Sequence, residues 1–176
     1  MASCRVFDVQ RYRCTNESTG AQADFFVIEN PDWVNIIPVT EDGKIVLIRQ
    51  FRHGTESVTL EIPGGLIDEN ETPEECAFRE LEEETGYRPF KMVYLGRSHP
   101  NPALQENWIY HFAALGCEKS GKEAFDEHES IENHLVDEDS IEDLISNEVI
   151  THSLVIAGFS RFAAYKRRAT GYSYES

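Results

Sequence analysis

The sequence predicts an α/β or α+β domain in which a mixed sheet lies between helices, and three observations carry that expectation. Strand-type segments crowd the chain as far as Ile62, a capped helix follows the glycine pair Gly64-Gly65, and helix-period apolar stripes return only after residue 140. Residues 4–14 and 22–30 (QADFFVIEN) flank a polar turn at 15–20 and read as two strands of a small N-terminal sheet. WVNIIPVT (33–40) and KIVLIRQF (44–51) flank Glu41-Asp42-Gly43, a hairpin turn signal, and their unbroken apolar character suits a sheet interior. Residues 57–62 run into the glycine loop as a strand, and 92–98 and 108–115 supply further strands. Residues 140–146 and 151–168 read as helices. In the second, Leu154, Val155, Gly158, Phe159, Phe162 and Tyr165 make the apolar stripe, while Lys166, Arg167 and Arg168 suit its negative C-terminal end.

At 176 residues the chain is long enough to bury a core as one domain, and 40% hydrophobic with 11% aromatic content makes it globular, not disordered. No apolar run approaches the roughly 20 residues that cross a bilayer, and the start, MASCRVFDVQRYRC, lacks a hydrophobic leader stretch; a soluble, cytoplasmic protein is expected. Cys4, Cys14, Cys76 and Cys117 are scattered without metal-type or disulfide-type spacing, which predicts free thiols. The net charge of -16 argues against binding long nucleic acid, whose affinity rests on Lys and Arg contacts to phosphate.

The chemistry is concentrated between Gly65 and Tyr87, GLIDENETPEECAFRELEEETGY. Thr72 as N-cap, Pro73 as first helical residue and Glu75 as third form a capping box, and Gly86 can close the helix in the left-handed conformation. Ala77, Phe78 and Leu81 are its expected inward face. Cys76, with no histidine nearby in sequence, is read as a packed residue without a catalytic role. Glu80, Glu83 and Glu84 fall at i, i+3 and i+4, on one side of the helix. An acidic stripe is most often a solvated face, but here it is joined to a packed helix and to a glycine pair that can bring main-chain oxygen close to a ligand. Three carboxylates with a carbonyl suit a hard cation, Mg2+ or Mn2+, shared with substrate phosphates. Such ions would also reverse the sign of the site, which lets an acidic protein take an anionic substrate.

The segment fits G-x5-E-x7-R-E-U-x-E-E-x-G-U, where U is bulky and apolar, with Gly65, Glu71, Arg79, Glu80, Leu81, Glu83, Glu84, Gly86 and Tyr87 in the fixed places. It resembles the box of the Nudix family; Tyr87 is aromatic where an aliphatic residue is commoner. The resemblance implies an α/β/α sandwich with a mixed sheet over residues 31–176 and an appended strand extension over 1–30 that can serve dimerisation. It also implies two or three metal ions held by Glu80, Glu83, Glu84 and the Gly64 carbonyl, with Arg79 orienting the neighbouring glutamates.

Three further stretches resemble one branch of that family, the ADP-ribose and nucleoside-diphosphate-sugar pyrophosphatases. In IRQFRHGTESVTLEIPGG the resemblance makes Arg52 the arginine that approaches substrate phosphates; Glu61 is either a charged strand end or the group that holds Arg52. In SHPNPALQENWIYHF, Pro100 or Pro102 falls where a proline marks preference for ADP-ribose-like substrates, and Asn101 or Gln105 can hydrogen-bond a sugar. His99 and His111 are read as structural. In the acidic run at 126–130, Glu127 resembles the family's water-activating base and Glu129 its further metal-side carboxylate. Trp33, or after it Phe7, is the candidate for stacking on a base.

The implied activity is Mg2+-dependent hydrolysis of the pyrophosphate bond of ADP-ribose or a related nucleoside diphosphate sugar, giving a nucleoside monophosphate and a sugar phosphate. The implied partners are that small molecule and a second copy of the chain in a homodimer, with no nucleic acid and no membrane. Two other classes stay open: a Nudix hydrolase of nucleoside triphosphates or dinucleotides, and a non-catalytic nucleotide-binding Nudix module. The presence of every acidic box position ranks the module last.

Overall fold

The computed structural model describes residues 2–3, 6–120 and 131–170. Cys4 and the run carrying Glu127 and Glu129 lie outside the described residues. Strands β1 (Ala2–Ser3), β2 (Asp8–Thr15) and β3 (Gln22–Glu29) form an antiparallel sheet of their own. The second sheet contains β4 (Trp33–Thr40), β5 (Lys44–Arg52), β6 (Ser57–Glu61), β7 (Gly64–Leu66), β8 (Tyr87–Arg88), β9 (Lys91–Ser98), β10 (Ile109–Lys119) and β11 (Glu132–Asp137). Its backbone order is β11-β5-β4-β10-β8, with β6 on β5, β7 on β4 and β9 on β10. Among these strands only β4 and β10 pair in parallel, along Ile109↔Trp33 to Cys117↔Thr40, so the sheet is mixed as the sequence predicts.

Helix α1 (Pro73–Thr85) covers one face, while α2 (Ile141–Ser146), preceded by a 3-10 turn (Glu138–Ser140), and α3 (Ser153–Ala169) cover the other. The central strand shows why. Val34 and Ile36 of β4 pack with Cys76, Ala77 and Leu81 of α1, and Ile37 packs with Val155, Phe159 and Phe162 of α3. Side chains alternate across a strand, so one apolar run feeds two cores and both helical layers are required to cover it.

The predicted inward face of α1 needs a correction. Phe78 is exposed, and the buried positions are Cys76, Ala77, Leu81, Glu84 and Thr85. The burial axis passes through Ala77, Leu81 and Glu84-Thr85 at i, i+4 and i+7/i+8, and Phe78 is turned about 100° from it. That phase carries Glu84 inward with the core residues, which matters for the site. Gly64–Leu66, Tyr87–Arg88 and Glu132–Asp137 are strands that the sequence patterns do not predict. The first two are too short to show a period, and the third is a polar edge strand held by its full-length pairing with β5.

The N-terminal sheet and the segment after it meet the loop that precedes β10. Ile28 N–H donates to Leu104 C=O at 2.7 Å and Asn107 Nδ2 donates to Pro31 C=O at 3.2 Å. This fixes the loop at 99–108 beside Trp33 and leaves a cleft between them. No described helix is long and apolar enough to cross a membrane.

Candidate active site

Helix α1 begins where the sequence places it. Glu75 N–H donates to Thr72 Oγ1 at 3.2 Å and Thr72 N–H donates to Glu75 Oε2 at 2.8 Å, a closed capping box with Pro73 next to it. Gly86 ends the helix at φ 68°, its N–H returning to Glu82 C=O. A helix fixed at both ends sets the axial position of every glutamate between.

Arg79 is the hub of the box. Its Nε and Nη2 donate to the two Glu71 oxygens at 2.8 and 2.9 Å, and its Nη1 to Glu80 at 2.8 Å and Glu83 at 3.1 Å. One guanidinium therefore holds three carboxylates that would otherwise repel one another. The Arg79 bonds hold the Glu71 carboxyl well below the ordinary range, at about 2, and the Asp68 N–H adds to the effect. A carboxylate with a depressed folded-state value stabilises the fold above its ordinary value of 4.5, and that contribution disappears as pH falls toward 2. Glu71→Gln should accordingly lower stability at pH 6 but flatten its further loss between pH 4.5 and 2. Urea midpoints of both proteins at pH 6 and pH 3 check this; equal losses would remove Glu71 from the account.

Glu84 is buried, and its Oε2 accepts the Gly64 N–H at 2.9 Å. This ties the helix to β7, which pairs with β4 at Asn35↔Gly64 and Val34↔Gly65. Both glycines are required for different reasons. A Cβ on Gly64 would lie 2.3 Å from the Val34 carbonyl oxygen, so a side chain there would prise β7 off β4. A Cβ on Gly65 would lie 2.1 Å from Glu80 Oε1, the movable end of a side chain. Gly65→Ala is therefore expected to fold while displacing the Glu80 carboxylate, reducing turnover by about 10–100-fold. Gly64→Ala should instead lower the melting temperature; thermal scans beside rate measurements separate the two, and an unimpaired Gly65→Ala variant would show that Glu80 need not sit where it does.

The donor set fits a hard divalent cation. Glu80, Glu83 and Glu84 offer oxygen only, and Glu80 lies in a cradle open to the main chain solely because position 65 has no Cβ. Among the described residues no three His, Cys, Asp or Glu side chains are already gathered as a metal site. The reason is visible: Arg79 draws Glu80 and Glu83 toward itself and Gly64 N–H holds Glu84. Gly64 meets Glu84 through its N–H.

Beside the box lies a cleft of about 540 Å³ whose walls include Gly64, Gly65, Arg52, Glu61, Trp33 and Gln105. Three candidates drawn from separate parts of the sequence thus share one cavity with the glycine pair. Phe7 also lines it. The indole Nε1 of Trp33 is buried without a hydrogen-bond partner among the described residues. Asn101 is not among the lining residues. Its carbonyl accepts the N–H groups of Leu104 and Gln105 at 3.0 and 2.8 Å, and so builds the turn that presents Gln105.

Arg52 makes a two-pronged contact with Glu61, Nε to Oε1 and Nη2 to Oε2, both at 2.8 Å. Glu61 is 2% exposed. Burial pushes its carboxyl upward, but the bonds from Arg52 and Thr59 outweigh this and hold it below the ordinary range. Two cleft residues, Asn35 and His152, are not among the candidates that the sequence singles out. Asn35 Nδ2 donates to Leu154 C=O at 3.1 Å and so anchors the start of α3. An asparagine inside the apolar run WVNIIPVT is the available signal.

Of the two histidines read as structural, His111 is 1% exposed with Ser98 Oγ 2.9 Å from its Nε2, and burial pushes it down to about 4. His99 packs on the Trp108 ring. Burial likewise pushes the Cys76 thiol far up, which leaves it unreactive.

The chain belongs to the NUDIX domain family, whose profile matches residues 30–156. It is similar to an ADP-ribose pyrophosphatase of Bacillus subtilis (strain 168), 36% identical over 88 residues, 50% of this chain and 48% of that protein. It is also similar to a methanol dehydrogenase activator of Bacillus methanolicus, 35% identical over 107 residues, 60% of this chain and 58% of that protein. The chain thus spans about half the length of the curated relatives it matches. A crystal structure of an ADP compounds hydrolase superposes with a TM-score of 0.85 over 97% of this chain and 91% of that one, at 24% identity, and shares the fold.

Proposed function

We propose that the chain hydrolyses the pyrophosphate bond of ADP-ribose or a related nucleoside diphosphate sugar, giving a nucleoside monophosphate and a sugar phosphate. The observation that carries this reading is the single cleft in which the box glycines meet Arg52, Trp33 and Gln105. That combination supplies a phosphate contact, an aromatic surface and a polar group for a sugar. The similarity to an ADP-ribose pyrophosphatase supports the same class.

Glu80, Glu83, Glu84 and the Gly64 carbonyl, joined by Glu129, would hold Mg2+ or Mn2+. Held there, such ions would supply positive charge to offset the diphosphate and Lewis acidity to lower the pKa of the attacking water. Arg79 keeps Glu80 and Glu83 aligned, Arg52 contacts a phosphate oxygen, and Trp33 carries the base. Glu127 takes the proton of the water that attacks one phosphorus, and the P–O–P bridge breaks on the far side. From ADP-ribose the products are AMP and ribose 5-phosphate. Asn101 acts through the turn that presents Gln105.

Residues 1–30 form the extension and 31–176 the catalytic domain, and the extension builds a homodimer. Phe25 and Phe26, adjacent and so on opposite faces of β3, are each 54% exposed. A monomeric mass by light scattering would refute the dimer. The cytoplasm is the proposed setting, in keeping with Cys14, Cys76 and Cys117 as free thiols.

The test is turnover with Mg2+ on ADP-ribose, ADP-glucose, GDP-mannose, NADH, diadenosine polyphosphates and nucleoside triphosphates. Preference for ADP-ribose or a nucleotide sugar supports the reading; preference for triphosphates keeps the hydrolase and discards the sugar pocket. Binding without turnover would favour a regulatory module, the reading that similarity to an activator keeps open.

A further inference from the structure

His152 sits at the N-cap of α3, yet its side chain makes no capping bond. It turns into the cleft, where Nδ1 lies 3.7 Å from Glu61 Oε2 and is buried without a hydrogen-bond partner among the described residues. The charged groups facing it are Glu61 on β6 and Arg52 on β5; the other cleft-lining residues, from the remaining elements, are uncharged. Glu61 is saturated on Oε1 by Arg52 and Thr59, and Oε2 takes the second Arg52 prong.

This arrangement poses a difficulty for the proposed reaction. A substrate phosphate on Arg52 competes with Glu61 for the guanidinium, two of whose five N–H hydrogens Glu61 takes, and a carboxylate 2% exposed is strongly destabilised when it loses a partner. Among the described residues, the only other cation-forming group lining the cleft is the His152 imidazole. We propose that His152 is a positioning residue that takes over the Glu61 carboxylate when Arg52 turns to a substrate phosphate, picking up one proton from solvent as it does so. The inference rests on the diphosphate reading given above. Burial keeps the imidazole neutral in the free protein, Glu61 favours its charged form and Arg52 opposes it. Movement of Arg52 onto a phosphate removes the opposing charge and leaves the favouring one.

Proton-linked binding tests this directly. The α,β-methylene analogue of ADP-ribose, which the enzyme cannot cleave, is titrated calorimetrically near pH 7 in two buffers of different ionisation enthalpy. The wild-type protein should take up as much as one proton per site. His152→Gln should bind about five- to tenfold more weakly with that uptake lost, and in turnover KM should rise by a similar factor while kcat changes by less than about twofold. Binding without proton uptake by the wild type, or equal uptake by both proteins, would overturn the role of His152 and leave the proposed function standing. The wild-type arm requires no variant to fold. Absence of binding by both proteins would overturn the diphosphate reading and this inference together.

Discussion

Glu84→Gln should lose turnover by about 10²–10³-fold while folding as the parent does. The helix phase turns Glu84 inward, where it is 6% exposed and accepts the Gly64 N–H. A glutamine carbonyl can accept the same hydrogen bond, so the tie between α1 and β7 survives. What disappears is a negative charge at the point where the glycine strand and the helix meet. Stabilisation of charge by a bound cation in phosphoryl chemistry amounts to several kcal/mol, and about 1.4 kcal/mol corresponds to each tenfold in rate. Loss of Glu84 from the proposed metal set would weaken that stabilisation without touching the core. Rates at saturating Mg2+ together with a melting curve check the claim. Normal turnover would remove Glu84 from the metal set, and a large loss of stability would make it a packing residue first.

Arg79→Lys is expected to cost about 10–100-fold in turnover and on the order of 1–3 kcal/mol in stability. The change keeps the charge, so a loss would report geometry. Arg79 reaches Glu71 through two nitrogens in parallel and Glu80 and Glu83 through a third, and it also donates to Leu66 C=O. An ammonium is a point charge on a flexible stem and cannot span that fork. Glu71 and Glu83 would no longer share one partner, and the acidic face would relax toward solvent. Turnover and urea unfolding measured together read both effects. A lysine variant equal to the parent in each would mean that charge alone organises the box.

Most of the site's helix is legible in the amino-acid sequence, because local chemistry dictates it. The capping box at Thr72, the proline after it and Gly86 at the end define α1 locally, and the i, i+3, i+4 spacing places the glutamates on one side. The strands at 33–40 and 44–51 are equally plain, since a continuous apolar run bounded by a Glu-Asp-Gly turn has few other uses. Helix phase is harder. Phe78 reads as core by residue type, yet the face that packs is set by Val34, Ile36 and Phe112 across the interface, and these select Cys76 and Ala77 instead. Long-range pairing is harder still. Nothing local joins Glu61 to His152, ninety-one positions later in sequence, or brings Gln105 to Trp33. Such contacts come from the seating of α3 against β4 through Asn35, from the crossover that sets β10 parallel to β4 and from the loop held by β3. Asn101 shows the converse: a polar residue in the right loop whose main chain builds the turn beside the cleft.

The central claim is that the box and its neighbouring cleft cleave a diphosphate bridge. Phosphorus NMR of ADP-ribose incubated with the protein and Mg2+ reads that bond directly. Two phosphomonoester signals in equal amounts, AMP and ribose 5-phosphate, are expected, with the diphosphate signals persisting when EDTA is added at the start. Diphosphate signals that persist with Mg2+ present, or cleavage that proceeds undiminished in EDTA, would contradict the account.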